Sequence, residues 1–106
     1  MSKPIAILSA SRTPLGGMMG SLSALSAPQL GAAAIRSAVE RAAIDPSQVD
    51  EVLMGCVLTA GVGQAPARQA ALAAGLTQST ACTTINKVCG SAMKSVMMAS
   101  NALRAG

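Results

Sequence analysis

Histidine, phenylalanine, tyrosine and tryptophan are all absent from this chain of 106 residues. Lacking histidine, the chain by itself has neither the commonest general base nor the commonest metal ligand at neutral pH. Lacking aromatic rings, it has no stacking platform for single-stranded nucleic acid. Charged side chains make up only 11% of it, and no run of adjacent Lys or Arg marks it as a duplex-binding protein. Acidic residues stop at Glu51. Residues 1–51 hold Lys3, Arg12, Arg36 and Arg41 against Glu40, Asp45, Asp50 and Glu51, whereas residues 52–106 carry only Arg68, Lys87, Lys94 and Arg104. The formal net charge of +4 therefore belongs to the second half, where it attracts an anionic ligand or simply aids solubility.

Paired cysteine motifs are missing too. Cys56, Cys82 and Cys89 make an odd number, with no C-x-x-C and no histidine beside them. That makes a poor disulfide framework and a poor zinc site, and no metal is expected. A reducing cytoplasm is the simplest compartment for such thiols. The uncharged stretch from Thr13 to Ile35 is interrupted by Pro14, Pro28 and glycines at 16, 17 and 20, which argues against a membrane span. The apolar run Ile5 to Leu8 is too brief for a secretory signal. Gly61-Val-Gly63 does not open a helix in a G-x-G-x-x-G frame, so no dinucleotide fingerprint is present.

What the chain does have is apolar surface, 51% of its residues, far more than a solvated coil carries. The run from Pro4 to Ala10 has the continuous apolar character of a strand covered on both faces. Leu15 to Ser26 is a loop rich in Gly, Met and Ser. Ala27 to Ala43 reads as a helix, with Gly31, Ile35, Ala38, Val39 and Ala42 on one face, ended by Asp45-Pro46. Glu51 to Leu58 reads as a second strand. A second helix is expected from Ala65 to Ala74, with Pro66 in its first turn and Gly75 just past its end. Thr80 to Ile85 is β-branched and reads as a third strand. The last helix, Val88 to Arg104, is apolar nearly all round and is expected to lie buried between layers.

The order βαβαβα implies an α/β fold with parallel strands. Three strands and three helices do not supply enough cover for strands and a helix of this character. Residues 1–106 are therefore expected to be one incomplete part of a larger body, with an apolar patch exposed in the chain alone.

Cys89 is the candidate nucleophile. It stands in Asn86-Lys-Val-Cys-Gly-Ser-Ala-Met-Lys, at a junction of strand and helix start, where free backbone N–H groups carry partial positive charge. That charge and the absence of carboxylates favour a thiolate, the reactive form. Gly90 allows close approach of a substrate, and the same N–H groups could hold an oxyanion. A structural cysteine packed in an apolar interior is the competing reading. Packing is the favoured role for Cys56 and Cys82. For Arg12-Thr-Pro a surface salt bridge is favoured over holding a loop or a partner chain, and for Met18-Met19 gap filling is favoured over a role in contacts.

Four stretches resemble the N-terminal part of a thiolase, specifically the short-chain acetoacetyl-CoA type (acetyl-CoA C-acetyltransferase). They are Ser9-Ala-Ser-Arg-Thr-Pro-Leu-Gly, Asp50-Glu-Val-Leu-Met-Gly, Gly61-Val-Gly-Gln-Ala-Pro-Ala-Arg-Gln-Ala-Ala, and Thr83-Thr-Ile-Asn-Lys-Val-Cys-Gly-Ser-Ala-Met-Lys-Ser-Val-Met-Met-Ala-Ser. The resemblance implies a five-layered αβαβα fold in the complete enzyme and a homodimer or homotetramer. The dimer contact is implied at about Thr80 to Ile85. It implies that Cys89 accepts an acyl group from acyl-CoA and lends its N–H to an oxyanion hole. Claisen condensation of two acetyl-CoA, or the reverse thiolysis, would follow, with coenzyme A thioesters as substrates and no separate cofactor. Ala92 stands where the family usually has glycine. The family's activating histidine, its second cysteine and most of its CoA-binding residues lie beyond the stretch matched, and neither Cys56 nor Cys82 corresponds to that second cysteine. On this reading the chain alone turns over no substrate. Two alternatives are a non-catalytic piece acting as an interaction module and a thiol sensor built on Cys89.

Overall fold

In the computed structural model, residues 3–106 are described, and they form helices on both faces of a short parallel sheet. The first helix, α1, runs Ala27–Ala42. A capping box starts it: the Ser26 hydroxyl accepts from the Gln29 N–H, and the Gln29 side chain accepts from the Ser26 N–H at 2.8 Å. Both orphan donors are thus satisfied locally. The helix stops where Ala43 turns left-handed at φ 56°, before the expected stop at Asp45-Pro46, which instead builds a short 3-10 turn over Pro46–Gln48.

Strand β1 spans Glu51–Gly55, helix α2 Pro66–Ala73 and strand β2 Ala81–Ile85. The strands pair in parallel, from Glu51 opposite Ala81 to Gly55 opposite Ile85, and α2 is the crossover between them, as parallel pairing requires. Pro66 opens α2, and Gly75 takes φ +94° just after it. Gly75 N–H donates to Leu72 O and Leu76 N–H to Ala71 O, a Schellman ending whose two flanking side chains, Ala71 and Leu76, join the core. The start of α2 has no side-chain cap of its own, because Ala65 precedes it in the left-handed region. Thr84 of β2 supplies the missing acceptor, its Oγ1 3.1 Å from the Ala67 N–H. One strand thereby caps a helix distant in sequence.

Alternation along β1 sorts the layers. Val52 and Met54 face α1 and α2, where Val52, Ala71 and Leu76 form a core cluster flanked by Ile35, Val39 and Cys82. Gly55 points the other way and meets the last helix, α3, Ser91–Ala105. Arginines tie the pieces through backbone carbonyls. Arg68 holds Thr80 O at 2.7 Å and Gln78 O at 2.9 Å, and Arg36 holds Ala73 O at 2.6 Å.

The α/β class and the parallel crossover follow the sequence expectation, with three differences. Pro4 to Ala10 is not a strand: no ladder forms there, and the segment lies against α1 through Ser9 Oγ to Ala38 O (2.6 Å) and Arg41 to Ala10 O (3.0 Å). A strand exists only when another pairs with it, and the described sheet has two members. β1 is shorter than expected, because the chain leaves the ladder once Cys56 N–H has bonded to Ile85 O. Finally, α3 begins at Ser91, and only Ser91 and Ser95 of it are buried. Met93, Val96, Met97 and Leu103 are all exposed, since these residues place no further layer over that face.

Candidate active site

The turn between β2 and α3, residues 86–90, carries Cys89. This cysteine is exposed, two residues ahead of the helix rather than in its first turn. Gly90 is the residue capping α3, and no side chain caps that helix end. The cysteine therefore sits beside the positive end of a helix dipole without being part of the helix.

Three side-chain arrangements shape this turn. Asn86 Oδ1 accepts from the Val88 N–H at 2.9 Å, and Asn86 Nδ2 reaches Val57 O at 3.4 Å. Val88 is held at φ 47°, a left-handed conformation that a β-branched residue adopts only under constraint. Ser91 closes the turn from below: its Oγ accepts from the Lys87 N–H at 2.8 Å and donates to Val88 O at 2.6 Å. Gly90 N–H also donates to Lys87 O, and Ser91 N–H to Val88 O.

The consequence is selective. Among the described residues, the N–H groups of Lys87, Val88, Gly90 and Ser91 all have acceptors. That of Cys89 has none. An unspent backbone donor next to an exposed sulfur is the arrangement that can stabilise an oxyanion formed at a carbonyl attacked by that sulfur.

Beneath the turn, Ser91 rests on the end of β1. A Cβ placed on Gly55 would lie 2.7 Å from Ser91 Cβ and 3.0 Å from the Ser91 carbonyl carbon, so only glycine permits this approach. Cys56 and Cys82 are half-buried, and each directs its thiol at a nearby carbonyl, Leu58 O and Thr80 O respectively. The structure thus separates the three cysteines by environment. Sequence reasoning singles out Cys89 but misses Asn86, Val88, Ser91 and Gly55 as its frame. The available signal is an Asn two residues ahead of a hydrogen-bond donor, an Asx-turn pattern, followed by Gly-Ser at the helix start.

Ala92, exposed in this structure, follows Ser91 on the groove between β1 and α3. This groove has a volume of about 910 Å³ and is lined by apolar side chains including Leu53, Val96 and Leu103. No helix among the described residues is long and apolar enough to cross a membrane.

Residues 5–106 match the family model described as "Thiolase, N-terminal domain". The chain is 54% identical over 104 residues to acetyl-CoA acetyltransferase 1 of Arabidopsis thaliana, covering 98% of this chain and 25% of that protein. It is 57% identical over 104 residues to the mitochondrial acetyl-CoA acetyltransferase of Homo sapiens, covering 98% of this chain and 24% of that one. Among solved structures, Acat5 thiolase from Ascaris suum in complex with coenzyme A superposes with a TM-score of 0.93 at 42% identity, over 94% of this chain and 26% of that one. The chain thus spans about a quarter of the length of the relatives it matches.

Proposed function

Because the chain belongs to the thiolase family through its N-terminal domain, we propose that it supplies the acyl-accepting half of a thiolase centre, with Cys89 as the nucleophile. The Cys89 thiolate attacks the carbonyl carbon of acetyl-CoA, the tetrahedral oxyanion collapses, and coenzyme A leaves as thiolate to give an acetyl-cysteine. A second acetyl-CoA then loses an α-proton, and its carbanion attacks the acetyl carbonyl. The cysteine thiolate departs and acetoacetyl-CoA is released; thiolysis runs the same steps backwards. The bases for these proton transfers come from outside residues 3–106. This chain contributes the sulfur and one oxyanion donor, the Cys89 N–H.

One observation carries this reading: an exposed cysteine whose N–H has no acceptor among the described residues, while those of Lys87, Val88, Gly90 and Ser91 around it do. The names of the relatives, acetyl-CoA acetyltransferases, support acetyl-CoA as donor, and the coenzyme A in the Ascaris suum complex supports a CoA thioester as substrate class. A second copy of the protein as partner is part of the proposal, because among the described residues β2 pairs on one side only and leaves an edge of the kind that joins subunits.

The test uses the chain completed with the remaining three quarters of the Arabidopsis relative. Acetyl-CoA radiolabelled in its acetyl group is added, the reaction is acid-quenched, and peptides are mapped. Label is expected on the peptide containing Cys89, absent from those of Cys56 and Cys82, and abolished by Cys89→Ala. Iodoacetamide is expected to alkylate Cys89 ahead of the other two. Label on another residue, or equal alkylation of all three thiols, refutes the assignment.

A non-catalytic interaction module is the second reading, favoured by the exposed Met93, Val96, Met97 and Leu103 on α3. It predicts that the completed protein takes up no acetyl label at all.

A further inference from the structure

We infer that Ser91 is a positioning residue for acyl transfer, acting through the backbone of Cys89, and that Gly55 is the seat on which it does so; this rests on the acyl-transfer reading of Cys89. Ser91 lies two residues beyond the sulfur and is 5% exposed. Its hydroxyl is used in both directions, accepting from the Lys87 N–H (2.8 Å) and donating to Val88 O (2.6 Å). Those two groups flank the peptide unit that turns Val88 left-handed at φ 47°. Together with Asn86 on the Val88 N–H, the Ser91 hydroxyl fixes the two residues immediately before Cys89. The direction of the Cys89 N–H is set by the peptide between Val88 and Cys89, and Val88 O, on that same peptide, is the group Ser91 grips.

Ser91 is itself fixed. Its main-chain N–H donates to Val88 O and its carbonyl accepts from Ser95 Oγ at 2.9 Å. On its other side stands Gly55, with no room for a methyl group. The last residue of β1 thereby positions the turn that β2 delivers. Without the Ser91 hydroxyl, the Lys87 N–H loses its acceptor and Val88 O keeps only the weaker 3.2 Å bond from Ser91 N–H. Val88 is then free to relax from its left-handed state, and the Cys89 N–H swings with it.

Such a role separates two reactions of the same sulfur. Acyl transfer from a thioester passes through an oxyanion and needs the N–H in place. Alkylation by iodoacetamide forms no oxyanion and needs only an accessible thiol. In the completed protein, Ser91→Ala is expected to slow acetylation of Cys89 by about tenfold to a hundredfold, the scale on which small misplacements act. The loss should appear in the rate at saturating acetyl-CoA, not in the half-saturating concentration. Iodoacetamide labelling of Cys89 in the same sample is expected to change by less than about threefold. Unchanged acetylation in Ser91→Ala overturns the inference. So does a parallel fall of both reactions, which makes Ser91 a folding residue only. The reading of Cys89 itself fails differently, by absence of acetyl-Cys89 in the unsubstituted protein.

Discussion

Replacing Gly55 by alanine puts the contact between β1 and α3 to a direct test. The added Cβ would stand 2.7 Å from Ser91 Cβ, 3.0 Å from Ser91 C and 3.1 Å from Ala92 N. Two of these neighbours are main-chain atoms at a helix start, so no flexible side chain can swing away. Overpacking of this kind typically costs ~1–3 kcal/mol. Alanine restricts the unfolded chain more than glycine does, which returns about 0.4–1 kcal/mol, and the backbone at Gly55 is not left-handed, so it adds no conformational strain. The net expectation is a destabilisation of ~1–2 kcal/mol. Gly17 provides the control, since a Cβ there meets nothing within 4 Å; Gly17→Ala is expected to be neutral or slightly stabilising. Urea denaturation of the two variants in the completed protein, read as a shift of midpoint at constant slope, makes the comparison. Because Ser91 is displaced, acetylation of Cys89 should fall in Gly55→Ala and not in Gly17→Ala. Matching midpoints for the two variants, with acetylation intact in both, would falsify the packing described for Gly55 and Ser91.

Two further predictions concern elements around the turn. Thr84→Val removes the acceptor for the Ala67 N–H at the otherwise uncapped start of α2 and is expected to cost ~1 kcal/mol, which Thr84→Ser restores; equal denaturation midpoints for Val and Ser variants would contradict the cross-strand cap. The carboxyl of Asp45 is held below its ordinary value of 3.8 by hydrogen bonds from the Ser47 hydroxyl and the Ser47 N–H, partly opposed by desolvation. A carboxyl depressed in the folded state stabilises the fold above its unfolded pKa, and that contribution is lost as pH falls through the lower folded value. NMR titration should therefore place Asp45 below 3.8 and show it rising in Ser47→Ala; an unmoved titration in that variant would rule out the Ser47 hydroxyl as the cause.

The parts of the fold legible in the sequence are those whose causes are local. Pro66 and Gly75 bracket α2 because a fixed φ and a left-handed φ act within one turn of chain. The helical face through Ile35 and Val39 packs on Val52 as its spacing implies. Pro4 to Ala10 departs from its expected strand for the opposite reason. Apolar content makes a segment fit to be a strand, but its hydrogen bonds must come from residues far away in sequence, and Ser9 and Arg41 engage helix and main chain instead. Helix α3 starts later than its apolar pattern suggests because Asn86 and Ser91 offer the backbone side-chain hydrogen bonds that compete with helix formation.

By itself, the sequence determined the α/β class, the bounds of α2 marked by Pro66 and Gly75, and Cys89 as the candidate nucleophile. Only the tertiary structure decided that Gly55 seats Ser91, that Thr84 caps α2, and that the Cys89 N–H has no acceptor among the described residues while its neighbours are bonded. The first two relations join residues 36 and 17 positions apart, a separation over which propensity and periodicity carry no information. The third depends on a left-handed valine that local preference opposes and that the hydrogen bonds of Asn86 and Ser91 hold in place.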